Sequence, residues 1–337
     1  MQPLPAGALR LVHLSDAHLS GDGALHQGVV DTTAALDRVL AQAGRVEAVR
    51  LLVGSGDLSD DGSEASYRLL RDRVDAWADA RGAAVALVPG NHDLREGFRA
   101  VLGDGHGRAS GDRRAGGDGR ASGDRRPGGR DRQEARGASG ATGPAGAARG
   151  SGADPLPVDG ASEVDGWRVL TLDTSVPRAG YGLLRPEQLA ALRARLATPA
   201  PHGTVLVLHH PPLPAPTTLH QALALQHPEE LAAAIEGSDV RVVLAGHYHH
   251  HLAGQLAGVP VPVLVAPAVA NETDLAAPAG TERAVRGSGC LVVDVHPSGE
   301  VSSAVLRVAG PDDGAEVFAF DEDQVRAIAA AAGVPRP

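Results

Sequence analysis

The sequence predicts an α/β fold, and three features carry that reading. Short apolar runs alternate with stretches of helical period. The runs are dominated by Val, Leu and Ala, as in strands that are largely buried. Polar residues able to bind metal gather where the runs end.

In chain order the first strand is "LRLVHLS" (9–15), and a helical pattern follows over 28–44. "RLLVGSG" (50–56) is the second strand and 64–81 the second helix, before a third strand "AAVALVPG" (83–90). After a break come "WRVLTLDTS" (167–175), a helix at 186–197, "TVLVLHH" (204–210), a helix at 228–236 and "VRVVLAGH" (240–247). The stretch 290–308 reads as a hairpin turning at Pro297–Ser298–Gly299, and 321–332 as a short peripheral helix. This gives one domain over 1–310 and a C-terminal extension over 311–337.

The break at 103–155 differs from everything around it. It contains no Val, Ile, Leu, Met, Phe, Trp, Tyr or Cys, and it repeats "GRASGDRR" at 107–114 and 119–126. Such a segment buries too little apolar surface to offset its ordering entropy, so it is expected to be a disordered Gly/Arg/Ala-rich insertion. A tolerated loop insertion explains it more simply than a basic interaction arm.

Composition excludes several classes. All 31 basic residues are arginine, yet the net charge is −10, which is wrong for a protein that grips polymeric nucleic acid. The longest apolar stretch, 259–270, is too short and too rich in proline to cross a bilayer, and no secretory signal is visible. The single Cys290 excludes an intrachain disulfide and a thiolate metal cluster. Together these predict a cytoplasmic protein with a small-molecule substrate. Cys290 itself reads as a buried apolar residue.

The chemistry lies at the strand ends, where open α/β sheets bind ligands. The first strand ends in "SDAH" (Asp16, His18), the second in "GSGDLSDDG" (Asp57) and the third in "PGNHD" (Asn91, His92, Asp93). Later strands end in "LHHPP" (His209, His210) and "GHYH" (His247, His249). Spacing i, i+2 in extended chain puts both side chains on one face, roughly 6–7 Å apart at Cβ, so two ligands can converge on one ion. Gly56, Gly90 and Gly246 stand one or two positions before these residues, where backbone can turn sharply and approach closely. Each block alone is weak; five in this order are specific.

The set resembles the calcineurin-like metallophosphoesterase superfamily, whose pattern is D-x-H, GD, GNH[DE], H and GHxH. The connecting segments "LDTSVPRAGYGLLRPEQLAAL" and "DVRVVLAGHYHHHLAGQLAGVPVPV" narrow the resemblance to bacterial class III cyclic-nucleotide phosphodiesterases of the actinobacterial cAMP type. The resemblance implies a four-layer α/β/β/α sandwich, a homodimer and two metal ions. Asp16, His18, Asp57 and His249 would hold one ion. Asp57, Asn91, His209 and His247 would hold the other, with Asp57 shared. Oxygen and nitrogen donors without sulfur suit Fe or Mn, or Zn. A water between two such cations ionises readily, and its hydroxide would attack phosphorus in line with the leaving ribose oxygen of 3′,5′-cyclic AMP. His92 would bind the phosphate or protonate the leaving oxygen, and Asp93 would either orient it or stabilise the turn.

Two other readings follow from the same residues. The centre could serve a broad phosphodiesterase acting on glycerophosphodiesters, 2′,3′-cyclic nucleotides or aryl diesters, because the ligands see only phosphate. A non-catalytic scaffold is the weaker one, since such scaffolds lose ligands that this chain keeps. A protein phosphatase would supply phosphate-binding arginines after the GD and GNH blocks, and Arg95 and Arg99 do not stand in that pattern. His13 reads as a packed core histidine, and His250 and His251 as bystanders beside the ligands. His210 is expected next to the centre or facing the loop. His26, His106, His202, His220, His227 and His296 carry no assignment.

Overall fold

Alternation along β1 (Leu9–Leu14) sorts its side chains into two layers. Leu9 and Leu11 join one buried cluster, Val12 and Leu14 another. β2 (Leu51–Ser55) and β3 (Ala84–Val88) divide in the same way and lie parallel to β1. The computed structural model describes residues 4–107 and 155–334. With β4 (His106–Gly107), β13 (Ser288–Val295) and β14 (Val301–Val308), these strands form a six-stranded sheet in the order β14-β13-β1-β2-β3-β4. The second sheet comprises β5 (Gly160–Val164), β6 (Trp167–Leu172), β7 (Gly203–Leu208), β8 (Val240–Ala245), β9 (Leu252–Gln255) and β10 (Pro262–Val265). Its order is β5-β6-β7-β8-β10-β9, with the four inner strands parallel.

The two sheets face each other across a layer that includes Leu11, Val53, Val88, Val205, Val207 and Leu244. On the far side of the first sheet lie α1 (Thr32–Ala43), α2 (Glu64–Asp79) and α3 (Arg95–Leu102). Tyr67, Leu70, Val74 and Trp77 make the apolar stripe of α2. Each such side chain contributes about 1.5–3 kcal/mol by leaving water. Asp31 and Ser63 cap α1 and α2 by accepting from Ala34 N and Ser66 N. On the far side of the second sheet, α4 (Pro186–Leu196) and α6 (Pro228–Ile235) bury Leu189, Leu192, Leu231 and Ile235. A short α5 (Thr218–Ala222) lies between them in the chain. The result is the expected α/β/β/α order of layers.

A third, three-stranded sheet sits beside the main pair: β11 (Glu272–Thr273), β12 (Glu282–Val285) and β15 (Glu316–Phe320), followed by α7 (Glu322–Ala332). The sequence reading put 311–337 outside the domain, with a peripheral helix. Instead β15 pairs with β12, Val325 of α7 is buried, and Gly180 N donates to Ala332 O. α3, α5 and this small sheet are elements the periodicity did not reveal. The insertion expected over 103–155 lies outside the described residues from 108 to 154. Its first residues are ordered, because His106 and Gly107 pair with Ala86 and Val85 at the edge of the first sheet. Among the described residues no helix is long and apolar enough to cross a membrane.

Candidate metal centre

Parallel strands in both sheets end at one rim, so five loops far apart in sequence meet there. Asp16 and His18 follow β1, Asp57 follows β2, and Asn91, His92 and Asp93 follow β3. His209 and His210 follow β7, and His247 and His249 follow β8. The loops are stitched by backbone bonds. Asp16 N donates to Gly56 O, His18 N to Asp57 O, Gly246 N to His209 O and Ala270 N to Asp16 O.

Five of these side chains sit on strained backbone. Asp16, His18, Asp57, His247 and His249 have φ of 53°, 46°, 48°, 69° and 49°. A non-glycine residue in this region costs about 1–3 kcal/mol and persists only where its surroundings hold it. The strain buys convergence. His18 Nε2 and His249 Nε2 approach to 3.2 Å, and His249 Nε2 lies 3.4 Å from Asp16 Oδ1. His18 Nε2 is 3.7 Å and His209 Nε2 is 3.4 Å from Asp57 Oδ2, and His209 Nε2 is 3.1 Å from Asn91 Oδ1. Asp57 is thus common to two groups of donors.

The opposite ring nitrogens show what the converging atoms present. His209 Nδ1–H donates to Ser55 O at 2.8 Å, and His18 Nδ1–H to Asp60 Oδ1 at 3.0 Å. Each bond fixes the tautomer of the neutral ring and points Nε2 inward, the arrangement that holds imidazole on a metal. His247 differs: its Nε2–H donates to Leu223 O at 3.1 Å, leaving Nδ1 as the atom open to an ion. Gly90 is required by close approach, since a Cβ there would overlap the carboxylate and backbone nitrogen of Asp57. Lone pairs of buried carboxylates and imidazoles packed this tightly repel one another unless cations lie among them. The donor set therefore fits a pair of divalent metal ions.

His92 stands at the mouth, its side chain 35% exposed, with its backbone N–H donating to Asp57 Oδ1 at 2.9 Å. Of the two roles open to Asp93, orienting His92 or stabilising the turn, the contacts made are those of the second. The Asp93 carboxylate accepts from Gly90 N, Leu58 N and Ser59 N, so it braces the turn that carries Asn91 and His92. Asp60 lies against His92 instead, its Oδ1 3.5 Å from Nδ1, and also contacts His18 and His26. Three histidines around one carboxylate outweigh its burial and hold Asp60 far below the usual carboxylate range. Burial opposes charge on His92, but Asp57 and Asp60 outweigh it and lift the ring to about 9. Cations bound at Asp57 would take back part of that shift. Asp60 was visible in "GDLSDDG" three residues after Asp57, but nothing in the spacing alone marked it.

The other histidines have clear places. His210 is fully buried between Thr174 Oγ1 (2.8 Å) and Gly180 O (3.1 Å) and does not face the loop. His250 lies 3.3 Å from Glu272 Oε1, and His251 Nδ1–H donates to Val265 O. His26 and His220, unassigned from sequence, both line the cleft over the centre, which has a volume of ≈ 150 Å³. Arg95 is buried on Asp173 Oδ2 and Ser175 O, and Arg99 reaches Leu156 O and Pro157 O. Neither lines the cleft. Cys290, on β13, is buried in the core that α1 covers.

Residues 9–251 match the family model described as calcineurin-like phosphoesterase. A probable cyclic nucleotide phosphodiesterase of Rhodococcus erythropolis is 34% identical over 299 residues, covering 88% of this chain and 82% of the relative. A cAMP/cGMP dual specificity phosphodiesterase of Mycobacterium tuberculosis is 33% identical over 300 residues, covering 88% and 78%. A 3′,5′-cyclic adenosine monophosphate phosphodiesterase of Pseudomonas aeruginosa is 26% identical over 326 residues, covering 95% and 96%.

Proposed function

Since the chain belongs to the calcineurin-like phosphoesterase family, we propose that it hydrolyses 3′,5′-cyclic nucleotides, cAMP foremost, to the 5′-monophosphate. The observation that carries the reading is the convergence of Asp16, His18, His249 and of Asn91, His209 around the Asp57 carboxylate. Asp16, His18, Asp57 and His249 would hold one ion and Asp57, Asn91, His209 and His247 the other, with Fe or Mn preferred and Zn able to replace them. When bound, the two cations supply charge neutralisation for the phosphate and lower the pKa of a water held between them.

The protein's own residues do the rest. Asp57 fixes the His92 backbone through its N–H, and Asp60 holds Nδ1 of the ring, so that Nε2 is the atom left to meet substrate. As water adds to phosphorus, the bond to the ribose O3′ breaks and His92 Nε2 gives that oxygen its proton. The relatives named for cAMP and cyclic nucleotides support this substrate class.

The test is a kcat/KM panel after Mn loading: cAMP, cGMP, 2′,3′-cyclic AMP, a glycerophosphodiester and bis(p-nitrophenyl) phosphate. cAMP is expected to lead. A large excess for the non-cyclic diesters would replace this reading with that of a broad phosphodiesterase.

A further inference from the structure

The three-stranded sheet turns one face to the cleft, and the contents of that face are unlike those of the other. Register places Thr273 opposite Ala284 and Ala284 opposite Phe318, so these three share a side. Glu282 and Phe320, two residues away on the same strands, lie on that side as well. The far face pairs its charges: Arg283 binds Asp274 and Glu316, and Glu272 binds Arg307. The near face has only a looser contact, His220 Nδ1 at 3.9 Å from Glu282 Oε1. Glu282 is 3% exposed and its Oε2 has no hydrogen-bond partner. Asn271, two residues before Thr273, is 1% exposed and its Oδ1 has none. Both line the cleft with Phe318, whose ring is stacked on Phe320 at 4.6 Å between centroids, and Leu219 of α5 lines it too.

Two buried acceptors left open are costly unless a ligand brings N–H donors to them. An aromatic face and a leucine beside them suit a flat, apolar ring. Resting on the proposed hydrolysis, we propose that Asn271, Glu282 and Phe318 form the subsite for the base of the substrate. Its preferred occupant is a purine carrying an exocyclic amino group. Phe318 stacks on the ring, and Asn271 Oδ1 and Glu282 Oε2 accept from its N–H groups. The side-chain amide of Asn271 also complements the donor and acceptor edge of adenine.

The experiment compares wild type, Phe318→Leu and Glu282→Gln on cAMP, on the 3′,5′-cyclic phosphate of unsubstituted purine riboside, and on bis(p-nitrophenyl) phosphate, which has no base. Phe318→Leu keeps apolar volume and removes the stacking face. It should lower the ratio of cAMP to aryl-diester kcat/KM about tenfold, mainly through KM. Glu282→Gln should shrink the preference for cAMP over the unsubstituted purine about tenfold. Adenosine, which has no phosphate, should bind full-length wild type in a calorimetric titration at least several-fold more tightly than Phe318→Leu. A parallel fall on all three substrates, or unchanged ratios, overturns the subsite. If the Mn-loaded wild type hydrolyses none of them, the hydrolase reading fails, and the adenosine titration still decides the subsite: equal binding to both proteins refutes it.

Discussion

The floor of the cleft and its wall are built by different rules. The floor draws seven candidate donor residues from five loops, holds five of them at positive φ, and anchors the far side of three of its four histidine rings. The wall is an unstrained three-stranded sheet whose inward side chains are set by register alone. Binding two cations, as proposed, would demand atoms placed to a fraction of an ångström, and the strained backbone of the floor is of a kind to supply that. Receiving the rest of the substrate demands only a face of suitable polarity. Damage to the floor should therefore act on every substrate alike, and damage to the wall should act on some and not others.

The largest effect should come from the residue the two donor groups share. Asp57→Ala removes a carboxylate oxygen 3.4 Å from His209 Nε2 and 3.7 Å from His18 Nε2, and releases the His92 backbone. Turnover should fall on the order of 10⁴-fold for cAMP and aryl diester together, with bound metal below two ions per chain. Elemental analysis and kinetics on the same preparation check this. If only cAMP turnover falls, the distinction between floor and wall is lost.

His92 belongs to the floor by position but is not counted among the ligands, which makes it a finer test. His92→Gln should lower kcat about a thousandfold for a cyclic nucleotide with a poor leaving group and much less for a nitrophenyl diester, whose leaving oxygen needs little protonation. Metal content should stay at the wild-type level. Asp60→Asn should reproduce a weaker version and move the pH–rate profile, since Asp60 faces Nδ1 of the same ring. Loss of metal from His92→Gln would make it a ligand rather than a proton donor.

This contrast also explains what could be read in the sequence. The layers were legible because short, nearly continuous apolar runs such as Leu9–Leu14 and Gly203–Leu208 are what strands buried on both faces require. The floor was legible because candidate metal donors are of a few residue types at strand ends, so Asp16, His18, Asp57, Asn91, His209, His247 and His249 stood out, and the structure brings their loops to one rim. Sequence left Asp93 between orienting His92 and stabilising the turn, and only the structure separates the two. Adjacency in sequence suggested a contact with His92, but backbone N–H groups of Gly90, Leu58 and Ser59 take the carboxylate first. The wall was illegible, because β11, β12 and β15 are two to five residues long and meet across some forty-five residues of chain. Nothing in "NETDL" or "EVFAF" announces a binding face until register sets Thr273, Ala284 and Phe318 in one row.

The smallest effect separates a histidine of the core from those of the floor. His13 lies on β1 between the sheets, fully buried, with Nε2 2.8 Å from Ser55 Oγ and no partner for Nδ1. Burial pushes its pKa down from 6.5 to about 3. Between those values the unfolded chain binds a proton at this residue and the folded chain does not. Its contribution is therefore complete above pH 6.5 and is lost as pH falls towards 3, at about 1.4 kcal/mol per pH unit. Denaturant titrations of metal-free wild type and His13→Gln from pH 7 to 4.5 should diverge by roughly 2–3 kcal/mol over that range. The variant, whatever its stability at pH 7, should have the flatter acid limb. The other buried histidines titrate in both proteins and cancel in the difference, so parallel curves would mean that His13 finds a way to carry its proton inside the core.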